Sequence, residues 1–206
     1  MGFSSVAAWV AACQETQLPM WEVILRQDLD QDTPEARAAS LKQMKHMWEV
    51  MKNSASQYQS EQRSYSGGDG ARYAEAWASG ILMGDCYWNA AIATALKVSE
   101  CNACMKRIVA APTAGSCGVI PAALIPYLEC YPDTTEEDMV HALYLAGGFG
   151  NIIAERASIS GGRMSGRNWG SLCYGSSSID IFARWNARGL RKRLCNCIEK
   201  LAGVGL

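Results

Sequence analysis

The sequence predicts an all-α fold, a bundle-like helical domain, and three observations carry that expectation. Apolar residues recur at helical spacing: Leu41, Met44, Trp48 and Met51 make one face. Helix-start signals precede such runs. Thr33-Pro34-Glu35 offers an N-cap hydroxyl, a proline in the first turn and an acid facing the positive end of the helix dipole. Thr134-x-x-Glu137 fits a capping box ahead of Met139, Leu143 and Leu145. Thirdly, sustained β alternation is absent, and residues 107–110 are the only short strand candidate. The alanine-rich stretches 71–80 and 86–98 read as closely packed helices. The methionine–aromatic stripe of the 41–51 face is expected in the core rather than around a cofactor.

Three small-residue turns punctuate these helices. The most informative is Ala111-Pro-Thr-Ala-Gly-Ser-Cys-Gly-Val-Ile-Pro-Ala-Ala-Leu124, which packs prolines, glycines, a threonine and a serine into a turn that opens an apolar helix. A helix start leaves backbone N–H groups unpaired, and small residues let a carboxylate or phosphate reach them. The alternative reading is a loop that only caps a buried helix. Ser64-Tyr-Ser-Gly-Gly-Asp-Gly70 is a second such turn, and Ala157-Ser-Ile-Ser-Gly161, following Gly147-Gly-Phe-Gly-Asn151, is a third.

In this order and at this spacing the three turns resemble the α chain of the iron–sulfur L-serine dehydratases (L-serine ammonia-lyases). That family reads close to SGGD, then APT-AG-GVIPA, then ASISG. The likeness runs from about Trp21 to Gly161. The resemblance implies removal of the α-proton and β-hydroxyl of L-serine, followed by hydrolysis to pyruvate and ammonia. It implies a 4Fe-4S cluster in the intact family and a β chain as partner; a cytoplasmic site is expected separately, from the lack of a charged signal-peptide start and of a membrane-length apolar run. Carried over residue by residue, Ser66, Gly67, Gly68 and Asp69 match the first turn. Pro112, Thr113, Ala114, Gly115, Ser116 and Gly118 match the second, and Ser158, Ser160 and Gly161 the third. These are assigned to substrate binding and active-site architecture, not to proton transfer. On the other reading they only shape helix starts, with Asp69 as an N-cap. His46 and His141 are poor base candidates, so no catalytic residue is assigned. The resemblance puts the base on the β chain or across the interface.

After Gly161 the likeness stops. Residues 162–206 hold eight Lys+Arg and two Asp+Glu, a net of +6, against eleven and eighteen, a net of −7, in residues 1–161. Permitted codons for Gly162 to Gly170 are GGA AGG ATG TCA GGC AGA AAC TGG GGN; read one base later they give EGCQAETG, close to the family's cysteine-containing segment. Two later stretches, from Tyr174 and from Leu194, yield further family-like segments in the same shifted frame. The expected organisation is therefore an incomplete α-chain domain over 1–161, its C-terminal part missing, and an out-of-frame tail over 162–206. The family's cluster ligands fall beyond the break. Metal ligands in this chain are expected to be none, the cluster is expected not to be held, and the chain is expected to be inactive as written.

Composition narrows the remaining classes. A hydrophobic content of 49% suits a globular chain. No apolar run reaches the roughly 18–20 residues of a membrane span, and residues 1–10 lack a charged signal-peptide start. Neither a membrane nor nucleic acid is expected as a partner. The basic cluster Arg188, Arg191, Lys192 and Arg193 is attributed to misread codons. The nine cysteines form an odd set with no secretion signal, which argues against a disulfide framework. Cys101-Asn-Ala-Cys104 is a lone C-x-x-C pair. Zinc needs a second pair or histidines at matching spacing, so core packing is the expectation. Cys117 is read as a packing residue rather than a reactive thiol. Two alternatives to the enzyme stand: a non-catalytic helical module that docks a β chain, and a zinc or redox protein using Cys101 and Cys104.

Overall fold

The computed structural model describes residues 5–61, 69–82 and 84–156. Among these residues the fold is all-α: α1 (Val6–Thr16), α2 (Met20–Gln27), α3 (Pro34–Ser56), α4 (Asp69–Ala78), α5 (Cys86–Ala103), a 3-10 turn (Ala114–Ser116), α6 (Val119–Cys130) and α7 (Glu136–Arg156). The tail, residues 162–206, lies outside the described residues, as does the third turn.

Local chemistry sets the helix starts. The Ser5 hydroxyl accepts from the Ala8 amide at 3.3 Å, and the Thr33 hydroxyl from the Ala36 amide at 3.2 Å, with Pro34 in the first turn. Asp85 opens α5 by accepting from the Tyr87 amide at 2.7 Å. Each satisfies a donor that the helix itself leaves unpaired. The box before α7 is one residue later than the sequence suggested. Thr135 and Asp138 cap reciprocally: the Thr135 amide donates to Asp138 Oδ2 at 2.9 Å, and the Asp138 amide to Thr135 Oγ1 at 3.2 Å.

Helix α7 is the spine. Met139, Val140, Ala142, Leu143 and Tyr144 are buried against Leu25 of α2, Trp48 and Met51 of α3, and Ile120, Leu124 and Tyr127 of α6. Leu41 and Met44 pack on the same cluster, completing the α3 face expected from its spacing. Further along, Leu145 and Ile152 join Trp9 and Ile24 in a second cluster. Gly148 allows that joint. A Cβ there would lie 2.8 Å from the Trp9 ring and 2.9 Å from Ile24 Cδ1, closer than carbon atoms pack. The helix runs straight through Gly147, Gly148 and Gly150 because packing outweighs the helix penalty of glycine. The indole of Trp48 donates to Glu136, whose carboxylate also accepts from Lys52 at 2.8 Å, so α3 and α7 are tied at their rim too.

Helices α4, α5 and α6 form the other side, with α5 paired extensively to both neighbours. Residues 107–110 are not a strand. They form an irregular connection whose Val109 packs against the core. A strand needs an edge to pair with, and no extended partner exists among the described residues.

Candidate functional site

The turn at 111–118 is built from its own hydroxyls. The Thr113 amide donates to Ser116 Oγ at 3.2 Å, the two hydroxyls lie 3.1 Å apart, and the Ser116 amide returns to the Thr113 carbonyl at 3.1 Å. Ser116 is 3% exposed, so its hydroxyl serves the turn. The tip, Ala114 and Gly115, faces solvent. Gly118 is where α6 meets α5. A Cβ there would lie 2.7 Å from the Ala95 carbonyl oxygen and 3.2 Å from Ser99 Oγ. Backbone cannot yield as a side chain can, so only glycine fits this approach.

The C-terminal half of α5 contacts both the 111–118 turn and the start of α4. Asn102 Nδ2 donates to the Ala114 carbonyl at 3.0 Å, which holds the 111–118 turn. Two residues earlier, buried Glu100 accepts from the Gly70 amide at 2.9 Å through Oε1. Gly70 itself packs on Lys97. The Ala71 amide donates to the Tyr58 hydroxyl at 3.2 Å, so protein groups take two of the donors at the start of α4. Lower on the same helices, Tyr73 donates to Asn89 at 2.9 Å. Asp69 is the first residue of α4. Ser66, Gly67, Gly68, Ser158, Ser160 and Gly161 lie outside the described residues.

Glu100, Asn102 and Tyr58 escaped the sequence reading. One signal existed: Glu100 stands seven residues after buried Ala93, on the packed face of an alanine-rich helix. A carboxylate there needs a buried donor, and the Gly70 amide supplies one.

The cysteines and histidines have structural surroundings. Cys101 is buried and its thiol donates to the Ser54 carbonyl at 3.1 Å; burial pushes that thiol up. Cys117 is buried near Val98, and desolvation raises it as well. Neither is poised as a thiolate. His141 stacks on Trp21 with ring centroids 3.8 Å apart and planes 10° from parallel. Burial holds its imidazole below the usual range. His46 is exposed, with Arg107 Nη2 at 3.1 Å. Among the described residues no group of three or more His, Cys, Asp or Glu side chains could hold a metal ion, and no helix is long and apolar enough to cross a membrane.

Geometry thus defines a class: an all-helical domain in which the end of α5 holds the start of α4 on one face and the 111–118 turn on another. The family model for the serine dehydratase alpha chain matches residues 15–167, and the chain belongs to that family. It is 31% identical over 162 residues to the probable L-serine dehydratase, alpha chain, of Bacillus subtilis (strain 168), covering 77% of this chain and 53% of that protein. To the L-serine dehydratase, alpha chain, of Peptoniphilus asaccharolyticus it is 29% identical over 157 residues, 74% of this chain and 53% of that one. A 67-residue stretch, 32% of this chain, is 45% identical to the L-serine dehydratase of Streptomyces coelicolor, 15% of that protein's length. The chain spans about half the length of the two alpha chains it matches. No solved structure matches it.

Proposed function

We propose that residues 1–161 are the N-terminal portion of an L-serine dehydratase α chain, and that residues 162–206 are read out of frame. The family match over residues 15–167 carries the α-chain reading. It is supported by the 53% share of the alpha-chain relatives that the chain spans and by the charge reversal after Gly161.

In the complete protein the α-proton and β-hydroxyl leave L-serine, and the resulting aminoacrylate hydrolyses to pyruvate and ammonia. The role assigned to this chain is to bind and orient. The exposed tip at Ala114 and Gly115 would present backbone donors to the substrate carboxylate. Thr113 and Ser116 fix the shape of that tip through their mutual hydrogen bonds. Glu100 and Asn102 hold the start of α4 and the 111–118 turn from different faces of α5; Ser66, Gly67, Gly68 and Asp69 are assigned to the same substrate as Pro112 to Gly118 on the resemblance of their motif. Ser158, Ser160 and Gly161 are assigned to the same substrate on the resemblance of their motif. The proton-transferring base is assigned to a β chain or across the interface with it, and the enzyme to the cytoplasm.

The described residues do not fit a 4Fe-4S cluster. Such a cluster needs three or four thiolates at one point, whereas the thiols of Cys101 and Cys117 are turned to the Ser54 and Val98 carbonyls and no group of three or more His, Cys, Asp or Glu among the described residues could hold a metal ion. Cys86 and Cys130 form only a pair. Ligands would have to come from the segments that the shifted frame restores.

A second reading, a non-catalytic module that docks a β chain, is favoured by the exposed Trp88 and Ile92 on α5 and Ile81 just before it. One experiment separates the readings. Pyruvate formation from L-serine is measured anaerobically, with iron, sulfide and a β chain supplied, for this chain and for a frame-restored, full-length version. Turnover is expected from the restored protein alone. Turnover by the chain as it stands would overturn the proposal, and none from either would favour the docking module.

A further inference from the structure

Among the six free cysteines of the described residues, two touch each other. Cys86 Sγ and Cys130 Sγ lie 3.8 Å apart although 44 residues separate them in sequence. Cys86 is the first residue of α5 and exposed, and Cys130 is the last residue of α6 and half-buried. The two helices run antiparallel: Gly118, beside the start of α6, meets Ala95 and Ser99 far along α5, while the end of α6 meets the beginning of α5. Aromatic packing fixes the meeting point. Tyr87 and Tyr131, the chain neighbours of the two cysteines, have ring centroids 6.5 Å apart. Tyr131 packs on Tyr127 at 4.4 Å, and the Tyr87 hydroxyl donates to the Ala123 carbonyl at 3.2 Å. A disulfide requires an S–S separation of about 2.05 Å. Both residues are helix-terminal, where side-chain rotation and end fraying can supply the remaining approach.

We propose that Cys86 and Cys130 are a redox-active dithiol that closes to a disulfide by exchange with a small-molecule disulfide. Cys86, the accessible thiol, loses its proton to solvent and attacks one sulfur of the oxidant RSSR. That S–S bond breaks, RS⁻ leaves and takes up a proton, and Cys86 holds a mixed disulfide. Cys130 then loses its proton and attacks the Cys86 sulfur, expelling the second RS⁻, which is protonated in turn. Two protein thiols are oxidised to one disulfide and RSSR is reduced to two RSH. Burial and the neighbouring Cys86 thiol push the Cys130 thiol up, which suits the second, intramolecular role, since proximity offsets a small thiolate fraction. The closed bond joins the start of α5 to the end of α6, at the opposite end of the pair from the 111–118 turn. By bridging distant parts of the sequence it restricts the unfolded chain.

The full 206-residue chain is incubated with oxidised glutathione, free thiols are alkylated, and peptides from combined trypsin and chymotrypsin cleavage are weighed. The expected product is a peptide containing Cys86 linked to one containing Cys130. It should disappear completely on reduction and in Cys86→Ser or Cys130→Ser, and persist when Cys173, Cys195 and Cys197 are all serine. The Tm of the wild-type chain should fall on reduction, and that of Cys86→Ser should not respond. Far-UV dichroism checks that each variant keeps its helices; Cys86 is exposed, so its serine variant is the one expected to fold unchanged. Glutathione retained on Cys86 with no link to Cys130, a link joining other cysteines instead, or two unreacted thiols would each overturn the proposal. Peptide masses report on these thiols whatever the chain's catalytic role.

Discussion

Where α2, α3, α6 and α7 meet, Leu25, Trp48, Leu124 and Met139 are each 2% exposed or less. The joint of α4, α5 and α6 is closed differently: Glu100, Asn102 and Asn89 reach across it with hydrogen bonds, and Gly118 lets two backbones approach. The most exposed large hydrophobics, Ile81, Trp88, Ile92, Met105 and Tyr131, all belong to this second side. The first region therefore supplies the apolar burial that drives folding. The second spends its residues on shape, and its exposed side chains are free to meet another surface. A fold divided in this way should respond differently to damage on its two sides.

The largest effect is expected in the first region. Trp48→Ala removes a side chain that is 1% exposed and its bond to Glu136, and should cost about 3–5 kcal/mol, as large-to-small core changes do. Urea unfolding followed by far-UV dichroism measures this. A loss as small as that of a surface substitution would show that the apolar region does not hold the fold.

Two glycines give a matched pair, one on each side. Gly118→Ala drives a Cβ against the Ala95 carbonyl, which cannot swing away, whereas Gly148→Ala meets the Trp9 ring and the tip of Ile24, which can rotate. Overpacking costs about 1–3 kcal/mol. Gly118→Ala should fall at the upper end and Gly148→Ala at the lower. The reverse order in thermal unfolding would mean that the α5–α6 approach is softer than the α1–α7 joint.

Asn102→Ala should cost less, about 0.5–1.5 kcal/mol for one neutral hydrogen bond, and its effect should stay local. Amide exchange at Ser116 and Cys117 should accelerate, because the turn loses its hold on α5, while exchange in α7 should not change. Equal acceleration in both places would merge the two regions into one cooperative unit.

The two regions were unequally legible in the sequence. The α3 face was readable because a single helix carries Leu41, Met44, Trp48 and Met51, and spacing alone selects the buried side. Thr33-Pro34 was readable for the same local reason. The α7 cap slipped by one residue because Thr134 and Thr135 stand side by side ahead of Glu136, Glu137 and Asp138, so two registers satisfy the same rule. Packing of Met139 and Val140 into the core chooses between them. At 107–110 the β-branched Ile108 and Val109 suggested a strand, but strand preference is realised only against a neighbour. The 111–118 turn was legible as a turn. That Glu100 holds the start of α4 and Asn102 the 111–118 turn was not, since those contacts join residues 30 and 12 positions apart through side chains of ordinary type.

The smallest expected effect concerns pH and belongs to the apolar side. His141 lies against Trp21 on α7. Burial lowers its pKa below 6.5; Glu137 and Asp138 act in the opposite direction and Lys45 adds to the lowering. The folded imidazole thus resists protonation more than the unfolded one. Its contribution to stability is full above pH 6.5 and declines as pH falls from there through the folded pKa, because the unfolded chain takes up the proton first. Urea midpoints at pH 7.5, 6.5 and 5.5 should therefore decline for the wild type. They should decline less for His141→Phe, whose ring can still stack on Trp21 but cannot titrate. This window stays above the ordinary carboxylate range of about 3.9–4.3, so the difference between the two proteins isolates the imidazole. Parallel midpoints in wild type and variant would place the pH response elsewhere, and the stacked pair would then be packing alone.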